Sequence, residues 1–372
     1  MTVPKIVVAA NLQPRCDFID RLRELAFNGK IALVSLQKNT SLILPEHLEG
    51  AKAIVMKPTA TKLTPISLSK AKFPFAIGTV SAGTDHLKSF RNNSSISIFN
   101  SPGGNSNGTS DLTVSLAKEL FRPIRRGISH MTSGIFNQGP FFSSGTLKDK
   151  RWLIVGSGHI PAALIYRLSV EGLSKITVVN RRVEDIQRKI EKLFELFPRS
   201  AKPDIPLLAK TGSSWMDTVS GGKTQIEFLQ VDYSDTEQFA NIFSEEDVVS
   251  IHIGENPSQR TLFNSDVLRG MRNAPILINA GRASVVDGRD IINALEKKEL
   301  SGYASDVISE AAELNGRIDL DPIWTRVYED RNKLEEDRLN IVLLPHIGGS
   351  TYEDQKHSFD VVIEKIQDFL GL

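Results

Sequence analysis

Cysteine is nearly absent: Cys16 is the only one in 372 residues. An internal disulfide is therefore excluded, and a reduced cytoplasmic compartment is the simplest expectation. Zinc-type Cys/His spacing is missing, so no metal is expected. No apolar run approaches the roughly 18 residues that a membrane-spanning helix needs. The opening stretch, MTVPKIVVAANLQPRCDF, lacks the long apolar core of a signal peptide, and KIVVAA reads better as a first buried strand. No membrane association is expected. Nor is there an excess of charge of one sign. Lys and Arg number 45 against 44 Asp and Glu, so nothing draws the chain as a whole to nucleic acid. Internal repeats and low-complexity tracts are also absent. What remains, 40% hydrophobic and 24% charged residues, is the composition of a globular protein long enough for two domains.

Short β-branched runs alternate with amphipathic stretches of helical length. KIVVAA, KIALVSL, AKAIVM, FAIGTV and SISIFN form an early set of strands. RWLIVGSG, KITVVN, DVVSIHI, APILINA, GYASDV and NIVLLPHI form a later one. FIDRLRELAFN is a helix between the first two strands, and one long helical pattern runs from about Asp111 to Met131. Such alternation predicts parallel sheets covered by helices, an α/β class with two doubly wound domains. Residues 1–110 with 347–372 form one domain, and residues 111–346 the other. Two segments, 198–225 and 311–339, fit poorly. They read as peripheral insertions, either surface elaboration or a lid or dimer contact.

GSGHIPAALIYRL, starting at Gly156, has the spacing of a dinucleotide-binding turn between a strand and a helix. Gly156 allows the sharp turn. Gly158 lets a pyrophosphate approach the backbone, with Ser157, His159 and Ile160 completing the turn. Pro161 replaces the usual third glycine; it suits a first helical turn but gives up close helix–strand approach. The next strand ends in Asn180, Arg181 and Arg182, where an NAD site carries an acid. Asparagine removes repulsion against a ribose 2′-phosphate, and two guanidinium groups can grip it. NADP is therefore expected in preference to NAD, unless the two arginines merely start the following helix in solvent.

SIHIGENPSQRTLFN (250–264), LINAGRASVVDGRDIINALEKKELSGYASDV (277–307) and LLPHIGGST (343–351) then follow. Together with VSAGTDHL (80–87) and NSPGGNSNGTSDLTVSLAKEL (100–120), they resemble the D-isomer-specific 2-hydroxyacid dehydrogenase family, in the same order. The resemblance implies a Rossmann-type cofactor domain, a flavodoxin-like substrate domain and an active site in a cleft between them. It implies Arg282 as the cation that binds the carboxylate and carbonyl of a 2-oxo acid, and His346 as the acid–base. A glutamate should orient that histidine. Glu310 lies one residue short of the usual spacing and Glu313 two beyond it, so both stand open. Ala82 and Gly83 are implied to bind the substrate carboxylate through their N–H groups, and Lys57 lies near the loop that faces the substrate. Thr109, His252, Ile253, Gly254, Ala280, Gly281 and Asp306 are implied to line the cofactor, Asp306 at its carboxamide. Gly254 stands where the family usually has proline.

The resemblance thus implies NADP-dependent reduction of a small 2-oxo acid to the D-2-hydroxy acid, by a homodimer formed through the cofactor domain. Two alternatives stand beside it: a dinucleotide-dependent binding or regulatory module with weak or no catalysis, and a formate- or phosphite-type dehydrogenase of the same family. A third, an assembly protein that has lost its ligand, is opposed by Gly156, Gly158, Arg282 and His346.

Overall fold

The computed structural model of the chain describes residues 3–9, 17–37, 40–58, 62–181, 209–211, 214–216, 224–254, 261–309, 311–312, 317–333 and 338–372. Cys16, Arg182, Glu310 and Glu313 lie outside them. The chain divides into two compact units, Met1–Asn105 with Gly349–Leu372, and Ser106–Gly348.

In the first unit, β1 (Lys5–Ala9), β2 (Ala32–Ser35), β3 (Ala51–Met56), β4 (Phe75–Thr79) and β5 (Ile96–Phe99) form a parallel sheet in the order β2-β1-β3-β4-β5. This is the flavodoxin order. Successive side chains leave opposite faces, so the near-continuous apolar strands can bury both. Ile6 and Val8 pack under α1 (Asp20–Phe27) and the C-terminal helix (Tyr352–Leu370), through Leu22, Phe359 and Ile363. Val7, Ile54 and Ile77 face the other way, against Leu48, Leu87 and Phe90 of short 3₁₀ turns. Gly78 brings the C-terminal helix close, since a Cβ there would sit 2.5 Å from Val362 Cγ1.

The second unit holds β6 (Arg151–Val155), β7 (Lys175–Asn180), β8 (Ala209–Thr211), β9 (Ser214–Met216), β10 (Gln225–Gln230), β11 (Val248–Ile251), β12 (Ile276–Asn279), β13 (Gly302–Ser305) and β14 (Ile341–Leu343). Their order is β14-β13-β12-β11-β6-β7-β10-β9-β8. All neighbours are parallel except the β10–β9–β8 edge. Counted along the chain, the parallel strands follow the 3-2-1-4-5-6 order of dinucleotide folds, with one more strand beyond. One face is covered by α2 (Ser106–Phe121) and α4 (His159–Leu168), where Ala117, Leu120 and Leu164 meet Trp152, Ile154 and Ile278. The opposite face is covered by α5 (Thr236–Asn241), α6 (Ser265–Arg269), α7 (Gly288–Glu296) and α8 (Pro322–Glu329), through Phe239, Leu268, Ile291 and Ile323.

The structure differs from the sequence expectation in three places. The single helix expected over 111–131 is two, α2 and α3 (Ile124–Thr132), separated at Pro123, which has no N–H to continue the ladder. The first begins earlier, at Ser106. Arg167 of α4 ties this first turn into the second unit by donating to Asn107 O (3.2 Å), Ser110 Oγ (2.9 Å) and Asp111 Oδ1 (3.1 Å). The described parts of 198–225 lie at the periphery but are joined to the sheet: β8 and β9 are its outermost strands, and Gln225 opens β10, which pairs with β7 along its whole length. In 311–339, Asp321 caps α8 and Ile323 enters the core. No described helix is long and apolar enough to cross a membrane.

Candidate active site

Six neighbouring parallel strands of the second unit end on one edge, and the sequence-predicted residues of that unit follow those ends. Read across the sheet, they are His346 after β14, Asp306 after β13, Arg282 after β12, His252 after β11, Gly156 after β6 and Asn180 at the end of β7. The chain's direction of progress reverses between β11 and β6, which is where an open α/β sheet forms its crevice.

The turn after β6 is built for close approach. Gly156 has φ +121°, a conformation side chains rarely adopt, and a Cβ there would lie 2.9 Å from His252 O. Its N–H donates to Val179 O at 2.8 Å. Gly158 is the N-cap of α4, and no side chain caps that helix. A Cβ on Gly158 would meet only Pro161 Cδ, at 3.9 Å, so the space beside the helix N-terminus is open. His159 and Ile160 start the helix, and Pro161 occupies its first turn. The Asn180 amide donates to Ser157 Oγ and accepts from Tyr233 Oη (3.3 Å), while the Arg181 guanidinium lies over the Tyr233 ring, 5.9 Å from its centroid. Sequence reading missed Tyr233.

Behind this turn, His252 is 9% exposed, and burial lowers its pKa to about 3, so the ring is neutral. Among the described residues, neither ring nitrogen has a hydrogen-bond partner. Ile253 is buried, and Gly254 is exposed. Gly281 fits closely against this loop; a Cβ there would fall 2.6 Å from Ile253 O. Ala280 N–H donates to Ile251 O at 3.1 Å. A strained glycine turn, an uncapped helix start and buried polar atoms suit a dinucleotide, and the residues present fit one.

Arg282 is held from below. Buried Asn279 donates through Nδ2 to Arg282 O (3.0 Å) and accepts Gly281 N–H (3.0 Å), and Arg282 Nη1 donates to Gly281 O (3.0 Å). Asn279 was not singled out from sequence, although a wholly buried amide ending an apolar strand is a signal. His346 has φ +57°, which costs a non-glycine residue about 1 kcal/mol. Asp306 stabilises that turn: its two carboxylate oxygens accept the N–H groups of Ile347 and Gly348, each at 2.7 Å. Burial raises the Asp306 pKa, opposed by those two N–H groups and the charge of His346. Thr109 of α2 is buried near this carboxylate, since a Cβ on Gly348 would meet Asp306 Oδ2 at 2.8 Å and Thr109 Oγ1 at 3.1 Å. Thr109 Oγ1 has no hydrogen-bond partner among the described residues.

In the first unit, Lys57 and the Val80–Gly83 loop leave the carboxyl ends of β3 and β4, which pair side by side. Asn100 Nδ2 donates to Ala82 O (2.6 Å), and Ser81 Oγ donates to Gly83 O (2.7 Å). Lys365 of the C-terminal helix in turn holds Asn100 O at 2.8 Å.

Residues 218–348 match the family model described as D-isomer specific 2-hydroxyacid dehydrogenase, NAD binding domain. The D-3-phosphoglycerate dehydrogenase of Escherichia coli K12 is 27% identical over 318 residues, 84% of this chain and 63% of that protein. The protein of the same name from Haemophilus influenzae is 26% identical over 299 residues, covering 80% of this chain and 59% of its own length. The chain thus spans less than two thirds of these relatives. Among solved structures, the apo D-lactate dehydrogenase of E. coli matches 98% of this chain and 96% of its own, with a TM-score of 0.65 at 16% identity. An NADPH-dependent glyoxylate/hydroxypyruvate reductase from Sinorhizobium meliloti matches 98% and 93%, with a TM-score of 0.62 at 17% identity. These structures share the fold. The arginine and histidine motifs on the strand ends described above lie inside the matched stretch, so residues 218–348 are similar to the NAD binding domain of the D-isomer-specific 2-hydroxyacid dehydrogenases.

Proposed function

We propose that the protein reduces a small 2-oxo acid to the D-2-hydroxy acid, with NADP(H) preferred over NAD(H). The observation that carries this is the delivery of Arg282, Asp306 and His346 from the carboxyl ends of neighbouring strands β12, β13 and β14, on the edge that holds the Gly156–Gly158 turn. When bound, NADPH supplies the hydride that reduces the carbonyl carbon. The Arg282 fork binds the carboxylate and polarises the ketone oxygen, stabilising the alkoxide as its charge develops. Protonated His346 donates one proton to that oxygen and is left neutral, to be reprotonated from solvent. Ala82 and Gly83 hold the carboxylate with their N–H groups, and Lys57 serves a second anionic group. The glutamate that orients His346 is assigned to Glu310, with Glu313 as the alternative.

The cofactor is assigned to the Gly156–Ile160 turn for its pyrophosphate, and to Thr109, Asp306, His252–Gly254 and Ala280–Gly281 along the remaining edge. Asn180, Arg181 and Arg182 are assigned to the 2′-phosphate. A panel of 2-oxo acids, with NADPH consumption as the readout, tests the reaction. Turnover of at least one acid is expected. Tight NADPH binding without any turnover would leave a binding module instead. Equal use of NADH, unaffected by joint Arg181→Ala and Arg182→Ala, would overturn the NADP assignment.

We also propose a homodimer through the second unit. What supports it is α3, which buries none of its own residues and leaves Ile124, Ile128 and Met131 exposed, followed by exposed Ile135, Phe136 and Phe142. A patch this apolar is characteristic of an interface. Sedimentation should give a dimer, and Phe136→Asp a monomer; a monomeric wild-type chain overturns the assignment.

A further inference from the structure

Tyr233 lies 53 residues beyond Asn180, yet β10 carries it back to that strand end. Gln230 of β10 pairs with Asn180 of β7, and Val231 N–H donates to Asn180 O at 3.1 Å. The chain leaving β10 therefore passes directly beside Asn180 and Arg181. Tyr233 is 7% exposed, and its ring packs on Phe239, 5.1 Å between centroids. That packing fixes the ring on the sheet, so whatever rests on its outer face or on its hydroxyl inherits a fixed position.

Two groups do so. The hydroxyl lies 3.3 Å from Val179 O and 3.3 Å from Asn180 Oδ1. Both are acceptors, so the tyrosine donates. Burial raises its pKa further, with Arg181 opposing, and it stays a donor across the physiological range. With its one proton shared between those two acceptors, the hydroxyl holds the Asn180 amide with Oδ1 towards the tyrosine. Its Nδ2 is then turned to Ser157 Oγ, inside the dinucleotide turn. The second group is the Arg181 guanidinium, over the ring at 5.9 Å. A cation over an aromatic face is favoured electrostatically. Asp232, the adjacent acid, accepts Ser234 N–H at 3.0 Å, and that bond, with the charge of Arg181 assisting, holds its carboxyl below the usual carboxylate range.

We propose that Tyr233 is a specificity-determining positioning residue. One side chain orients the Asn180 amide and supports Arg181, so that the end of β7 recognises a phosphomonoester on the 2′ position of an adenine ribose. This rests on the NADP(H) assignment above. It adds that selectivity is set from β10, through a residue outside the glycine turn and the strand end it serves.

The test uses the full chain, with adenosine 2′,5′-bisphosphate against adenosine 5′-monophosphate as probes and calorimetric Kd values as the readout. The ratio of the two isolates the 2′-phosphate. Tyr233→Leu should lower that ratio roughly tenfold by removing the platform. Tyr233→Phe, which keeps the ring and removes only the donor, should lower it roughly threefold. Adding Tyr233→Leu to Arg181→Ala should lower it no further than Arg181→Ala together with the loss seen in Tyr233→Phe. An unchanged ratio in both tyrosine variants, with a collapsed ratio in Arg181→Ala, would overturn the role of Tyr233 and leave NADP selectivity standing. A wild-type chain that does not distinguish the probes, with Arg181→Ala equally indifferent, would overturn the NADP assignment and this proposal with it. Should Tyr233→Leu fail to fold, Tyr233→Phe decides, since it preserves the packing on Phe239.

Discussion

The two edges of the second-unit sheet are made from the same strands but solve different problems. At the amino edge, charges of opposite sign meet. Lys150 pairs with Asp247 (2.9 Å), Arg151 with Glu245 (2.8 Å), and Lys175 with Glu227 (2.6 Å). Asp247 also accepts the N–H of Arg151 at 2.9 Å, stitching β11 to β6. At the carboxyl edge, polar side chains shape turns instead. Asn279 fixes the Arg282 turn, Asp306 fixes the His346 turn, and Gly156 admits the backbone of His252. The difference shows where each edge spends its polar groups. One uses them to close strands onto each other; the other uses them to hold a row of side chains and glycines at strand ends. Substitutions at the two edges should therefore separate activity from stability.

The largest separation is expected at the carboxyl edge. His346→Ala should lower turnover at least roughly a hundredfold while leaving unfolding by urea nearly unchanged, because the proposed general acid is lost and the core is untouched. Lys150→Ala at the amino edge should do the reverse, costing at most about 1 kcal/mol of stability with turnover intact. If both variants lose activity equally, the two edges are not functionally distinct. Gly156→Ala comes next. The φ of +121° and the 2.9 Å approach to His252 O make any side chain costly, about 1–3 kcal/mol by urea unfolding, with dinucleotide binding weakened in parallel. A stable Gly156→Ala variant that binds NADPH normally would show that the turn is not the phosphate site.

Much of this edge was legible in the sequence, for physical reasons. Fully buried parallel strands must be short apolar runs, so RWLIV, KITVVN and APILINA announced themselves. The turn after β6 demands glycine, so its position could be read directly. Other features depend on pairing that no local pattern carries. β10 was not foreseen because only one of its six positions is buried and it follows a polar segment. Without β10, nothing places Tyr233 beside Asn180. The break between α2 and α3 was signalled by Pro123 but hidden by an apolar periodicity that runs through it. Asp306 was legible as a site residue by resemblance, while its grip on the His346 turn depends on how far the β13 and β14 ends project.

The pH-dependent effects are the most discriminating, because they give opposite signs at the two ends of one strand. His252 follows β11, and burial lowers its pKa from 6.5 to about 3. Between those values the unfolded chain binds a proton that the folded chain does not, so this stabilising contribution is full above pH 6.5 and lost as pH falls. Glu246 precedes β11, where burial raises its pKa from 4.5 to about 7, against the attraction of Arg151 and Lys175. Between those values the folded chain holds a proton that the unfolded chain has released, so stability is lost as pH rises. From about pH 4.5 to 6.5 the two slopes oppose each other, each bounded by about 1.4 kcal/mol per pH unit. Relative to wild type, His252→Asn should make stability fall more steeply as pH rises through this window. Glu246→Gln should make it rise more steeply over the same window, with turnover unchanged because the residue lies at the edge away from Arg282 and His346. Urea unfolding at several pH values reads both slopes. Variants that shift the slope in the same direction would show that the ends of β11 share one electrostatic environment, and the contrast between the edges would fail at the strand that joins them.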